Sequence, residues 1–475
     1  MTETTTDVRA PGAAHGVPGA PGAPGVPGGD VPLRWVWLAA WPVTAVFVLS
    51  NAATPLYVLW QREMGFSRGT LTVVFACYIA GLLGSLLVSG VVSDRLGRKP
   101  VLLPALGLAL VSCLVFATAG GVAALIVARL CTGIAVGAVV SAGMAAVTDV
   151  AGPARRPLAA LLASCAMVFG AGSGPLLAGV LSETLPGPTV TVFAVEAVLL
   201  VTAVAVVLRM PVRRPARADT RSGVGSGNGG PGSGAGSGNG GPGSGVGTGN
   251  GGTGNGETGN GVGTGAGTGA GGGAWVRVPG VPRGAGRQLT LGIAVFAPGI
   301  TATSFVLSLG PSLLSGLLGT GSRIVSGALA FVMFLSATGV QFAVRGLGRR
   351  TILLAGAAAT VLGMLALVTA VHTGSVSALA GAALLAGAGQ GMGQLGGLSL
   401  LNSTVPAGRL AEANAALNVG GYLPAGVLPV TAGYLSDAVG LTAGATVFGA
   451  ALAALAAAGG GLVLRGWREP AEPLG

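Results

Sequence analysis

Twelve apolar runs of helix length, separated by short polar punctuation, succeed one another along this 475-residue chain. Six lie at 35–60, 70–92, 101–119, 122–148, 157–181 and 188–208, and six more at 289–318, 324–344, 351–371, 375–401, 410–434 and 440–464. Each reaches the ~20 residues needed to cross ~30 Å of hydrocarbon, and the longer ones must tilt or kink. Backbone polar groups in lipid must be satisfied within their own segment, so the pattern predicts an all-α polytopic membrane protein of twelve transmembrane helices.

The runs fall into two sets of six that repeat one another. LGRKPVLL at 96–103 returns as LGRRTILL at 347–354, at a constant offset of 251 residues, each copy set between two apolar runs. Two pseudo-symmetric six-helix bundles with a basic hairpin in the same place is the layout of a parallel-repeat transporter. The expected divisions are a Pro/Gly-rich disordered tail at 1–34, a first bundle at 35–208, a connection at 209–288, a second bundle at 289–465 and a short tail at 466–475. Residues 222–274 of the connection are nearly all Gly with Ser, Asn, Thr and Pro; nothing there offsets ordering entropy, so a flexible coil is expected. Its GxG patterns follow no strand and open no helix, so they are not a nucleotide loop.

Composition agrees: 51% of residues are apolar and only 8% charged. The net charge of +11 would suggest nucleic acid, but its placement says otherwise. With both termini inside, cytoplasmic segments hold 21 of the 25 basic residues, external loops hold Arg62, Arg68 and Arg323, and Arg129 lies within a span. The positive-inside rule then accounts for the basicity as topogenic, with the lipid bilayer as partner and no nucleic acid. Lysine occurs once, at Lys99, an arginine bias that with abundant Ala and Gly points to a bacterial gene and hence to a bacterial inner membrane. Trp35, Trp37, Trp60 and Trp467 fall where interfacial anchors belong. Cys77, Cys113, Cys131 and Cys165 lack metal-ligand spacing and read as packing residues; the two histidines form no catalytic or zinc constellation. No enzyme activity, metal or cofactor is expected.

The loop between spans 2 and 3 carries Gly90, Asp94, Arg95, Gly97, Arg98 and Lys99 in the spacing G-x-x-x-D-R-x-G-R-[KR]. On these residues the chain resembles the major facilitator superfamily across both membrane halves. The resemblance implies that Asp94 works with the start of span 11 and a nearby arginine as a latch for the outward-facing state. The second copy has Arg345 in place of the aspartate and Gln341 in place of the first glycine, so one strong latch and one weak one are expected. Arg129 with Gly133 resembles the family's R-x-x-x-G element, linked to proton coupling, with Thr132 where Gln is usual. On its own, Arg129 either faces a wet cavity or a partner, or snorkels to the outer surface. Gly170, Gly174, Pro175 and Gly179 in span 5 resemble the antiporter motif of exporters, although Ala178 and Leu161 replace two of its glycines.

Glu196 is the one carboxylate clearly inside a predicted span: either a proton carrier or a wetted residue near the outer surface. Asp149 and Glu412 stand at helix ends, where capping or solvent contact is expected. Asn51, Thr54 and Tyr57 beside Pro55, with Gln341, Gln390, Gln394, Asn414, Asn418 and Tyr422, are the candidates for lining a substrate path. Span 1 lacks the acidic residue of many multidrug exporters, so a neutral or amphiphilic solute fits better than a cation. GMGQLG at 391–396 reads as helix packing rather than nucleotide binding, and no P-loop occurs.

The resulting expectation is a multi-pass secondary transporter with both termini cytoplasmic, exporting a small molecule in exchange for protons by alternating access. The resemblance further implies a monomer. An uptake symporter or facilitator for a sugar or metabolite is the alternative, and a transporter-like sensor a more distant one.

Overall fold

The computed structural model describes residues 32–211, 280–317, 319–406 and 409–466. Of the expected tails only residues 32–34 and 466 are described, and Leu33, Arg34 and Gly466 belong to helices instead; the Gly-rich core at 222–274 lies outside the described residues. Among those described, thirteen α-helices follow in order: α1 (Leu33–Ala52), α2 (Tyr57–Met64), α3 (Arg68–Leu96), α4 (Lys99–Ala117), α5 (Val122–Ala151), α6 (Arg156–Thr184) and α7 (Pro188–Arg209) in the first half. The second half holds α8 (Gly286–Gly316), α9 (Arg323–Ala343), α10 (Arg349–Thr373), α11 (Val376–Asn402), α12 (Leu410–Val439) and α13 (Leu441–Gly466). Helices α1 and α2 form one span, broken where a turn at Thr54–Leu56 carries Pro55, whose ring cannot supply the N–H that would continue α1.

Among the described residues, eleven spans are long and apolar enough to cross a membrane. The twelfth, α12, is long at 30 residues but less apolar, because Asn414, Asn418 and Tyr422 interrupt it. It runs on to Val439 rather than ending at 434, and so takes in Asp437.

The two halves meet through a reciprocal pairing. The second span of each half lies against the fifth span of the other: α3 on α12, and α9 on α6. Small residues permit it. A Cβ at Gly69 or Gly433 would overlap Tyr434 or Thr72 across the α3–α12 seam, and one at Gly179 or Gly327 would overlap the backbone of Arg323 or Pro175 across the α6–α9 seam. The bundle therefore has a first face, carrying the basic Arg98 hairpin, and a second face, carrying the starts of α3 and α9. The seam contacts run from the second face (Gly69–Tyr434, Gly179–Arg323) to the middle (Gly426–Ile79, Gly172–Phe331).

One expected anchor is misplaced. Trp60 is 1% exposed and stacks on Phe116 and Phe193, with centroids 5.8 and 6.2 Å away. The break at Pro55 redirects α2 so that this indole packs inward; Trp37 is 58% exposed, as an interfacial anchor would be.

Candidate transport site

Helix α5 places the first buried charge. Its Gly133 and Gly137 lie so close to α3 that a Cβ would collide with the Tyr78 carbonyl or come within 2.7 Å of that of Leu82. One turn before Gly133, Arg129 is fully buried in the angle between α5, α3 and the α1–α2 break. Its Nη1 donates to the Ser50 carbonyl at 2.6 Å and its Nε donates to the Tyr57 hydroxyl. Ser50 sits in the last turn of α1, where carbonyls lack helical partners and the helix dipole is negative, so the cation is seated where the broken span is most receptive. Four rings surround the guanidinium carbon: Tyr57 at 5.1 Å, Phe116 at 5.8 Å, and Phe75 and Tyr78 at 5.9 Å. Aromatic faces offset part of the desolvation cost of a buried cation. The third nitrogen, Nη2, has no hydrogen-bond partner. Thr132 instead turns to α4, sharing a 2.6 Å hydrogen bond with Ser112.

Glu196 on α7 is also buried, at 1% exposed, and neither carboxylate oxygen has a hydrogen-bond partner. It lies one turn from Phe193, which stacks on Phe116 at 4.7 Å. Phe116 thus touches both the Arg129 cage and the ring stack beside Glu196. Neither charge is in an ion pair among the described residues. Both side chains lie inside the bundle rather than at its surface.

The candidate path residues divide. Tyr57 belongs to the Arg129 cage. Thr54 is buried with its hydroxyl unpartnered, and Asn51 donates to the Ser50 hydroxyl at 2.9 Å. In the second half, Tyr422 meets Phe296 edge-on at 6.2 Å and lies one turn before Gly426, which faces Ile79 of the first half. Asn414 is buried and Gln390 half-buried, each with its side-chain carbonyl unpartnered, while Gln394 and Asn418 are half-buried. Gln341 is buried near the first-face end of α9. Two of the chain's four tyrosines, Tyr57 and Tyr78, therefore converge on Arg129. Tyr78 escaped the sequence reading; its one signal was a hydroxyl-bearing ring inside an otherwise apolar run.

At the first face, Gly97 takes φ 96°, a conformation open to residues without a Cβ, and turns the chain sharply from α3 into α4. Arg98 is then held from two helices: Nη1 contacts Asp94 at 2.7 Å and Ser93 at 3.0 Å, and Nε contacts Asp149 of α5 at 2.9 Å. Burial works against its charge, but the two carboxylates outweigh burial and hold the guanidinium above its ordinary pKa. Asp149 is thus a partner of the hairpin rather than a simple cap. Lys99 caps the end of α7 through the Leu208 carbonyl at 3.0 Å. Gly90 lies one turn before Asp94 on α3, and Arg95 at its exposed end. In the second copy Arg345 stacks on Phe342 at 4.2 Å. Glu412 pairs locally with Arg409 at 3.1 Å.

The span-5 glycines work in two directions. Gly170 and Gly174 bring α6 against the α1 backbone at Thr44 and Val48, while Gly179 and the Pro175 carbonyl face α9. GMGQLG is a packing node: Gly391 abuts α9 at Ala337, Gly393 abuts α8 at Phe296 and Gly396 abuts α10 at Leu353.

Comparison with known proteins completes the picture. Over 127 residues the chain is 34% identical to the 3-(3-hydroxy-phenyl)propionate transporter of Escherichia coli, a stretch covering 27% of this chain and 30% of that protein. It is 37% identical over 125 residues to the major facilitator-type transporter psiT2 of Psilocybe cyanescens, covering 26% of this chain and 22% of the relative. The matches thus span less than a third of either relative. Among solved structures, a bacterial homolog of the human lysosomal transporter Spinster, inward-facing and occupied, superposes with TM-score 0.66 at 12% identity, covering 92% of this chain and 99% of that one. A mutant of the nucleoside transporter NupG superposes with TM-score 0.62 at 11% identity, covering 91% and 100%. At such identities these likenesses speak to the fold. The family model of the Major Facilitator Superfamily matches residues 36–346, and with its paired six-helix halves the chain belongs to that superfamily of membrane transporters.

Proposed function

We propose that this transporter is a proton-coupled exporter of a small neutral or amphiphilic solute, working in a bacterial cell membrane with the basic first face in the cytoplasm. The observation that carries the coupling is the pair of buried, mutually unpaired charges of the first half, Arg129 and Glu196. An ionised carboxylate without donors is costly in a dry interior, so Glu196 is suited to exchange a proton as access alternates. The positive-inside distribution supports the orientation, and the span-5 glycines and proline support export. Solute would sit among Tyr78, Tyr422 and the amides of α11 and α12, near the middle of the seam. The seams meet on the second-face side, so the conformation described would be open toward the cytoplasm. Asp94, Arg98 and Asp149 would hold the first face when the molecule reverses.

A second reading, uptake of an organic acid, is supported by two observations. A relative transports a phenylpropionate, and Arg129 keeps one nitrogen free of any protein acceptor. One experiment separates the two. Wild type and Asp94→Ala are expressed in an efflux-deficient bacterium and growth is measured over a panel of antibiotics, dyes and metabolites. Resistance with wild type only is expected for export. No resistance, together with accumulation of radiolabelled aromatic acids, would overturn export in favour of uptake.

A further inference from the structure

The second face is closed by two carboxylates that no motif identifies. Glu183, in the last turn of α6, accepts the backbone N–H groups of Arg323 and Ile324, the latter at 3.2 Å. Asp437, in the last turns of α12, accepts those of Arg68 and Gly69 at 3.0 and 2.8 Å. Each acceptor belongs to one half and each pair of donors to the other. The arrangement follows the internal repeat: Glu183 and Asp437 end the fifth spans, and the donors open the second spans.

The hydrogen bonds at these helix starts can be counted to completion. An α-helix leaves the N–H groups of its first three residues, as well as that of its cap, without intrahelical partners. In α3 the third is taken by the Ser67 side chain at 3.2 Å, and the N–H of Leu71 then makes the first ordinary helical bond, to the Ser67 carbonyl at 3.1 Å. In α9 Ser322 does the same, at 3.3 Å for Val325 and 3.3 Å for Ser326. In both helices the first and second N–H groups remain, and in both the opposite half's carboxylate takes them. Each anion also lies at the positive end of a helix dipole. Gly179 and Gly69, where a Cβ would overlap the facing half, permit that approach. A third cross-contact joins Ser312 of α8 to Gln61 of α2 at 3.1 Å on the same face.

We propose that Glu183 and Asp437 are paired gating residues: two matched helix caps, made between the halves, that hold the second face shut and must both be released when the halves rock. They act on conformation and do not touch solute. Opening transfers four N–H groups and two carboxylates to water, which solvates both well, so the latch holds firmly yet releases without stranding a buried polar group. Its symmetry contrasts with the first face, where Asp94 has no acidic counterpart at Arg345. The proposal rests on the reading that the two halves rock, and on no assumption about solute, direction or coupling.

The test needs no substrate. In the full chain, with Cys77, Cys113, Cys131 and Cys165 replaced by serine or alanine, Ser312→Cys places a thiol beneath the second face, where Ser312 is 5% exposed. Purified protein in nanodiscs is treated with a bulky polar maleimide. The parent should label slowly. Glu183→Gln with Asp437→Asn should label about tenfold faster, from loss of charge-assisted hydrogen bonds, and each single variant should fall between. Labelling of the double variant at the parent rate would overturn the proposal. Faster labelling together with loss of the cooperative thermal transition would mark general unfolding and would also overturn it. Should the double variant fail to insert, the singles decide: comparable acceleration by both is expected, and none from either refutes the paired latch.

Discussion

The two halves share a backbone plan but not a chemistry. Every buried charge among the described residues, Arg129 and Glu196, lies in the first half; the buried polar side chains of the second half are all uncharged, among them Asn414, Gln341, Thr301 and Ser308. What the halves have in common is what close packing and helix ends require: small residues at the α3–α12 and α6–α9 seams, serine caps at Ser67 and Ser322, and carboxylates at Glu183 and Asp437. The contrast teaches that the repeated features build two bodies that can move against each other. The features that were not repeated are the ones with work specific to one body. On the proposed reading, coupling belongs to the first half, while the second contributes uncharged amides and hydroxyls to recognition.

The largest test of that division is Arg129. Arg129→Ala removes two charge-assisted hydrogen bonds and should cost about 3 kcal/mol or more of stability, read as a lower thermal midpoint, with transport abolished. Arg129→Lys keeps the charge but not the two-point geometry, and should insert normally without restoring transport. Full transport by the lysine variant would mean that charge alone suffices. Next in size is the shared packing. Gly327→Leu drives a side chain into the Pro175 backbone and should lower stability by about 1–3 kcal/mol, whereas Gly120→Leu, in open space, should change little. Equal effects at the two glycines would deny that the seam is a packed element.

A smaller effect is expected at the first-face hairpins, where the comparison is sharpest. Asp149→Asn and Asp94→Ala should each slow transport by roughly tenfold with normal membrane levels, given ion pairs that are partly exposed, while Arg345→Ala should leave the rate near wild type. Matched losses in both copies would make the hairpins equivalent and remove the asymmetry. Smallest is deletion of 222–274, which should leave transport within about twofold, since a Gly-rich sequence without an apolar face offers nothing to pack against the bundle. Failure of correctly inserted protein to transport would give that segment a role beyond connection.

The spans, the repeat and the Arg98 hairpin were legible because composition and periodic punctuation determine them. Helix α12 was legible as a span because 410–434 is an apolar run of helix length, even with Asn414, Asn418 and Tyr422 lowering its hydropathy. What stayed hidden depends on which helix faces which. A soluble helix shows its buried side as an apolar stripe, but in lipid both sides are apolar and the stripe vanishes. Trp60 therefore read as an interfacial anchor although it packs inward, and Tyr78 was passed over. Asp149 read as a helix end, although the α3–α5 approach sets it against Arg98. Glu183 and Asp437 had no signal in either half alone, because their partners are backbone groups some 140 and 370 residues away in sequence.

The central claim, that proton coupling runs through the first half, is tested most directly in proteoliposomes holding wild type or Glu196→Gln, with an internal pH indicator and a solute identified by the growth panel. The account predicts that solute addition drives proton movement with wild type, and that Glu196→Gln binds the solute but moves no protons with it. Undiminished solute-driven proton flux through Glu196→Gln would contradict it.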